Sequence, residues 1–108
     1  METLNYSSVL ARFGSAVSDP TRARILLALH DGPGYPSDLA EIIGVSRQSL
    51  SNHLSCLRGC GLVVSVPEGR RSRYELADAK LGEALSSLLG VVMLAAPECC
   101  LTNDGECC

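Results

Sequence analysis

The sequence predicts a mainly α-helical domain with one small β-hairpin, in the order α-α-α-α-β-β-α. Three observations carry that reading. Apolar residues recur at helical spacing through five segments, four of them before two short β-type runs and one after. The third and fourth helical segments are separated only by Gly44-Val45-Ser46. The β-type runs flank an arginine-rich loop, Pro67-Glu-Gly-Arg-Arg-Ser72. A chain of 108 residues has room for one domain and one modest core.

The first helix is expected over Asn5–Val17, where Leu4, Val9, Leu10, Phe13 and Val17 fall near the i, i+3, i+4 pattern. Ser18-Asp19-Pro20 then stops one helix and starts the next. Asp19 can cap the new helix, and Pro20 suits its first position because an N–H there would lack a partner anyway. The second helix runs from Thr21 to about His30 and buries Ile25, Leu26 and Leu29, until Asp31-Gly-Pro-Gly-Tyr-Pro36 breaks it. Ser37-Asp38 opens a short third helix with Leu39, Ile42 and Ile43 as its buried edge, and Gly44 ends it.

Ser46 caps the fourth helix, which continues to about Cys60 on an apolar stripe of Leu50, Leu54 and Leu57; Gly61 terminates it. Two helices joined by a three-residue turn containing Gly, the second polar along one side, match a helix-turn-helix. Leu62–Val66 and Arg73–Leu76 are the β-type runs, and the loop between them makes the hairpin a wing. The last helix is expected from Asp78 to about Ala95, with Leu81, Leu85, Leu88, Leu89 and Val92 on one side. Pro97 ends it. The fold class is therefore a winged helix-turn-helix over residues 1–96, followed by a flexible Cys-rich metal-binding tail over 97–108. The long apolar segments at both ends leave material for a dimer.

A hydrophobic share of 46% with 19% charged residues is ordinary for a soluble globular chain. The N-terminus lacks the charged start and unbroken apolar run of a signal peptide. The longest apolar stretch, Leu88–Pro97, is too short to span a bilayer. A cytoplasmic protein without a membrane partner is expected. The net charge of −3 hides an asymmetry that matters more than its sign. From Pro20 to Arg73, seven arginines face four acids; from Tyr74 onward, one lysine faces six. A basic middle and an acidic end permit DNA binding by one face and a different task for the other.

A recognition helix needs short polar side chains to reach base edges, with phosphate contacts to fix its register. Arg47, Gln48, Ser51, Asn52 and Ser55 lie opposite the leucine stripe and supply them. Gln and Asn can pair with adenine, and Arg with guanine. Arg70, Arg71 and Arg73 on the wing can reach phosphate or the minor groove. The partner predicted is double-stranded DNA, bound with steep salt dependence. His53 reads as a helix-packing histidine and His30 as a helix-end residue near the C-terminal carbonyls, without a functional role.

All six cysteines lie in the second half: Cys56, Cys60, Cys99, Cys100, Cys107 and Cys108. Without an export signal, structural disulfides are disfavoured, and metal binding or redox sensing moves up. Cys56 and Cys60 are four apart on one helix, so their sulfurs share a face and can share one ion. By helical phase they fall in line with Asn52 and His53, beside the DNA-reading face. A tail of thiols has no packing purpose, and it can complete a three- or four-thiolate site on the helical pair. Such a site selects Cd(II), Pb(II), Hg(II), As(III) or Cu(I), with Zn(II) at four ligands, and excludes hard ions. No catalytic base or Cys-x-x-Cys accompanies these thiols, so a sensed metal, not an enzyme, is expected.

The element order, together with SDPTRARILLAL, SRQSLSNHLSCLRGCGLV and EGRRSRYEL, resembles the ArsR/SmtB family of metal-responsive repressors over roughly Val9–Val92. Within that family, LSCLRGC resembles the CmtR type of cadmium and lead sensors. The resemblance implies a homodimer on operator DNA, released when Cd(II) or Pb(II) binds Cys56, Cys60 and one of Cys99 or Cys100 across the dimer interface. Tyr35-Pro-Ser-Asp-Leu39 lacks the Cys-x-Cys of the best-known arsenic sensors, and the last helix lacks the histidines of the zinc sensors. Some arsenic-responsive members use a paired-Cys tail, which makes As(III) held by Cys99, Cys100 and Cys107 or Cys108 an alternative inducer. A thiol redox repressor of the same fold is another.

Overall fold

The computed structural model describes the backbone of residues 3–94 and the side chains of residues 6–91. The expected order is present: α1 (Thr3–Val17), α2 (Pro20–Asp31), α3 (Pro36–Ile43), α4 (Arg47–Gly59), β1 (Val63–Glu68), β2 (Arg71–Leu76) and α5 (Ala79–Leu94). The tail expected over 97–108, with Cys99, Cys100, Cys107 and Cys108, lies outside the described residues, as does the last residue expected in α5.

Each boundary has a local cause. Asp19 Oδ2 accepts from the Arg22 N–H at 3.0 Å and Pro20 takes the first position of α2. Gly44, at φ 84°, closes α3 in the left-handed region that side chains avoid, and its N–H bonds Ala40 O at 2.8 Å. Ser46 Oγ caps α4 by accepting from Ser49 N at 3.0 Å. At the other end of α4, Gly61 has φ 80°. Its N–H bonds Arg58 O, and Leu62 N bonds Leu57 O, both at 3.0 Å. That is a Schellman closure, and it returns the chain to the core through Leu62.

β1 and β2 pair antiparallel from Val63↔Leu76 out to Glu68↔Arg71, leaving Gly69 and Arg70 as a two-residue tip. The strands are longer than the sequence indicates. Pro67 and Ser72, expected in the loop, face each other in the ladder. A two-stranded sheet accepts Pro because the strand has a free edge. On the far side of β2, Gly34 makes a single bridge to Tyr74, with N–H···O distances of 2.9 and 2.7 Å.

The core gathers Ile25, Leu26 and Leu29 of α2, Leu39 of α3, Leu50, Leu54 and Leu57 of α4, Val63 of β1 and Leu85 of α5. The leucine stripe of α4 is therefore buried as expected. Ile42 is a correction: it is 75% exposed, and Ala40 takes its place inside. In an eight-residue helix only a narrow stripe meets the core, and Ile42 falls on its flank. Val9, Leu10, Leu88 and Leu89 also stay exposed in the single chain. Among the described residues, no helix is long and apolar enough to cross a membrane.

Candidate nucleic-acid interface and thiol pair

α4 presents Arg47, Gln48, Ser51, Asn52 and Ser55 to solvent, all exposed, while its leucines hold the opposite side against α2 and α3. Gln48 Nε2 donates to Asn52 Oδ1 at 3.3 Å, one turn along the helix. The structure thus brings together every α4 residue that the sequence assigned to DNA. His53 is half-buried, with Nε2 3.9 Å from Asp19 Oδ2, a packing position. It ties the recognition helix to the N-cap of α2. Arg22 extends that junction, donating from Nε to Ala16 O at 2.7 Å and from Nη2 to Ser15 O at 3.2 Å. The bond from the Arg22 backbone N–H holds the Asp19 carboxyl below its usual range, helped by the nearby His53.

The three wing arginines differ in their surroundings. Arg70 sits at the exposed tip. Arg71 lies over the Tyr35 ring, 3.6 Å from its centroid, with Nη2 3.5 Å from Asp38 Oδ2. Arg73 donates from Nη1 to Glu68 Oε2 and has Nη2 3.6 Å from Glu75 Oε2. Tyr35 donates its hydroxyl hydrogen to Glu68 Oε1. That hydrogen bond and the Arg73 charge hold Glu68 below the usual carboxylate range, and the same bond raises Tyr35. Sequence reasoning missed this network because it joins residues 33 positions apart. It also missed the contact of His30 Nε2 with Ser86 Oγ at 2.7 Å, which fastens α2 to α5.

Cys56 and Cys60 occupy the C-terminal end of α4, and the Cys60 N–H bonds Cys56 O at 3.0 Å. Both are free thiols. By helical phase both fall between Asn52 and His53, but their surroundings differ. Cys56 is exposed; Cys60, at the C-cap, is half-buried and packs against the core. It lines an apolar groove of about 540 Å³ with Tyr6, Leu10 and Phe13 of α1 and Leu81 of α5. Each step of four residues advances about 40° around a helix of 3.6 residues per turn. Two steps from Asn52 therefore bring Cys60 round to the His53 side of the helix, at the edge of the DNA-facing residues. Among the described residues no group of three His, Cys, Asp or Glu side chains is placed to hold a metal.

The model of the bacterial regulatory protein arsR family matches residues 19–65, from the Asp19 cap into β1. HTH-type transcriptional regulator CmtR of Mycobacterium tuberculosis is 59% identical over 86 residues, covering 80% of this chain and 73% of CmtR. The chain belongs to the ArsR family. A probable mercury resistance operon repressor of Streptomyces lividans is 35% identical over 98 residues, covering 89% of this chain and 78% of that protein. The NMR structure of the M. tuberculosis cadmium metal-sensor CmtR superposes with a TM-score of 0.66 at 60% identity, covering 76% of this chain and 85% of that one. The homodimeric winged helix-turn-helix domain of Mycobacterium bovis Mb0332 gives 0.74 at 26% identity, covering 87% and 91%. This ArsR-family chain is accordingly a winged helix-turn-helix, DNA-binding transcription regulator, and its relatives are regulators and not enzymes.

Proposed function

We propose that this ArsR-family chain is a metal-responsive repressor. A homodimer binds operator DNA through α4 and the wing, and a thiophilic ion, Cd(II) or Pb(II), releases it. The observation that carries this reading is the thiol pair at the C-terminal end of the recognition helix. Cys56 and Cys60 stand one turn apart, outside the leucine stripe. As thiolates they are soft donors, suited to soft ions. They supply two donors, where a soft ion needs three or four. Cys99 or Cys100 completes the set in this reading, with Cys107 and Cys108 in reserve. The likeness to a protein described as a cadmium metal-sensor supports it.

The position of Cys60 supplies the coupling. One end of α4 faces DNA and the other borders the α1–α5 groove. A bound metal would hold the groove end against the tail and tilt or strain the DNA end. Couplings of this kind are about 1–3 kcal/mol, and by linkage DNA weakens metal binding equally. The four thiols beyond Pro97 favour a second reading, in which As(III) binds Cys99, Cys100 and Cys107 or Cys108.

An anaerobic titration of reduced protein with Cd(II), Pb(II) and As(III), followed by thiolate-to-metal ultraviolet absorption, tests both. The chains compared are wild type, Cys56→Ser/Cys60→Ser, and one truncated after Pro97. A tight Cd(II) or Pb(II) signal that needs both the helical pair and the tail supports the first reading. As(III) binding by the tail without the pair supports the second.

A further inference from the structure

We propose that the groove between the start of α3, the start of α4 and the wing seats a DNA backbone phosphate on Arg47, Arg70 and Arg71. Tyr35, bonded to Glu68, is a positioning residue that holds the wing at the spacing this seat requires. The proposal rests on the DNA-binding reading and assigns roles within it.

The groove measures about 410 Å³, and its walls include Tyr35, Ser37, Arg47, Ser51, Arg70 and Arg71. Three arginines and five hydroxyl-bearing residues line it, and no carboxylate does. Among the described residues, Arg47 and Arg70 form no ion pair. Two unpaired cations beside a third suit an anion with several acceptor oxygens. α3 also begins without a side-chain cap, Pro36 filling its first position, so amides of its first turn remain without an internal partner. The base-reading candidates Gln48 and Asn52 do not line this groove. The division is the usual one, in which phosphate contacts set position and base contacts set sequence.

A phosphate seat of this kind works only while the wing tip stays put. The backbone bridge Gly34↔Tyr74 fastens β2 midway along its length. Tyr35 to Glu68 is a second attachment, at the residue just before the Gly69-Arg70 tip. Arg73 completes the strut from inside. It spans Glu68 and Glu75, and its Nε is buried without a hydrogen-bond partner. A guanidinium held so by packing and two carboxylates braces the wing and does not reach for DNA. Arg71 is different. It is 54% exposed at the side chain and loosely paired with Asp38, so it can turn to a phosphate.

Because phosphate contacts are independent of sequence, a fluorescein-labelled duplex of arbitrary sequence serves as the probe. Anisotropy titrations over a salt series give an affinity and a salt slope for each variant. Arg47→Ala and Arg70→Ala are each expected to make the slope shallower by about 0.9 and to weaken binding roughly five- to tenfold near 0.1 M salt. Tyr35→Phe keeps the ring under Arg71 and loses only the bond to Glu68. It is expected to weaken binding about as much as Arg70→Ala at an unchanged melting temperature. In an Arg70→Ala background it should change little, since the residue it positions is gone. An unchanged slope in Arg47→Ala and Arg70→Ala overturns the seat. Equal weakening by Tyr35→Phe in both backgrounds overturns the positioning role. If the wild-type chain shows no salt-dependent binding to duplex at all, the DNA-binding reading falls as well.

Discussion

The two sides of the recognition helix carry opposite kinds of surface. Around the starts of α3 and α4 and the wing tip, exposed side chains are mostly polar or charged and already organised by ion pairs and hydrogen bonds. On the side of α1 and α5, large apolar side chains are exposed among polar ones: Tyr6, Leu10 and Val91 are each more than 60% accessible. The first surface is complete in one chain. The second leaves large apolar side chains exposed in the single chain, as surfaces that pair with another protein do. α4 joins the two, with Arg47 at one end and Cys60 at the other. In the function proposed above, a ligand at Cys60 acts on the apolar surface where copies would pair, and the same helix relays it to the surface that would read DNA.

The largest expected effect tests whether the two sides are one unit. Leu57 is fully buried and anchors the Schellman closure that aims Cys60 and Leu62. Leu57→Ala should lower stability by about 2–5 kcal/mol, a large share of what a small domain has. Circular dichroism and DNA binding should then be lost together on heating. Loss of DNA binding well before the helices melt would show that the sides unfold separately.

Next comes the apolar side alone. Leu10→Glu places a charge in the α1–α5 groove, away from the DNA-facing start of α4 and from the wing. Sedimentation should report a monomer. Affinity for a two-site palindrome should fall roughly 10²-fold, as avidity is lost, while each chain keeps its helical spectrum. A dimer that survives Leu10→Glu would move the assembly surface elsewhere.

On the polar side the matching change is smaller. Ser46→Ala removes the cap of α4 and should cost about 1 kcal/mol in chemical denaturation. DNA affinity should fall with it, because the uncapped turn carries Arg47 and Gln48. The metal binding proposed at Cys56 and Cys60, about three to four turns away, should be unaffected.

Much of this contrast is legible in the sequence, for identifiable reasons. The leucine stripe of α4 and its polar flank follow from a period of 3.6, and the caps from Asp19, Ser46, Gly44 and Gly61. What the sequence hides is phase and long-range pairing. Ile42 matches the helical pattern as well as Leu39 does, yet points outward, because periodicity gives a stripe without its width. Cys56 and Cys60 share a spacing rule but not an environment, since the second sits past the last helical turn, where the chain reverses. The Tyr35–Glu68–Arg73 strut has no local signal at all: a Tyr before Pro and a Glu before Gly read as loop chemistry until the hairpin folds back. Three wing arginines that look equivalent in Arg70-Arg71-Ser72-Arg73 thereby acquire three surroundings.

The smallest expected effect lies at the junction of the two sides. Asp19 caps α2, faces His53 of α4 and neighbours Arg22, whose guanidinium closes the end of α1. Its folded-state pKa is depressed below 3.8, first by the Arg22 backbone hydrogen bond. A carboxyl with a depressed folded pKa stabilises fully above its unfolded value, and that contribution is lost as pH falls through the folded one. Asp19→Asn keeps a competent cap, since Asn serves at that position nearly as well, but it cannot ionise. The variant should therefore melt only slightly below wild type at neutral pH, and the gap should close below pH 3.8. Thermal melts at a series of pH values measure it. A gap that stays constant into acid would mean that Asp19 acts through cap geometry alone, and that its charge contributes nothing to joining the assembly side to the DNA side.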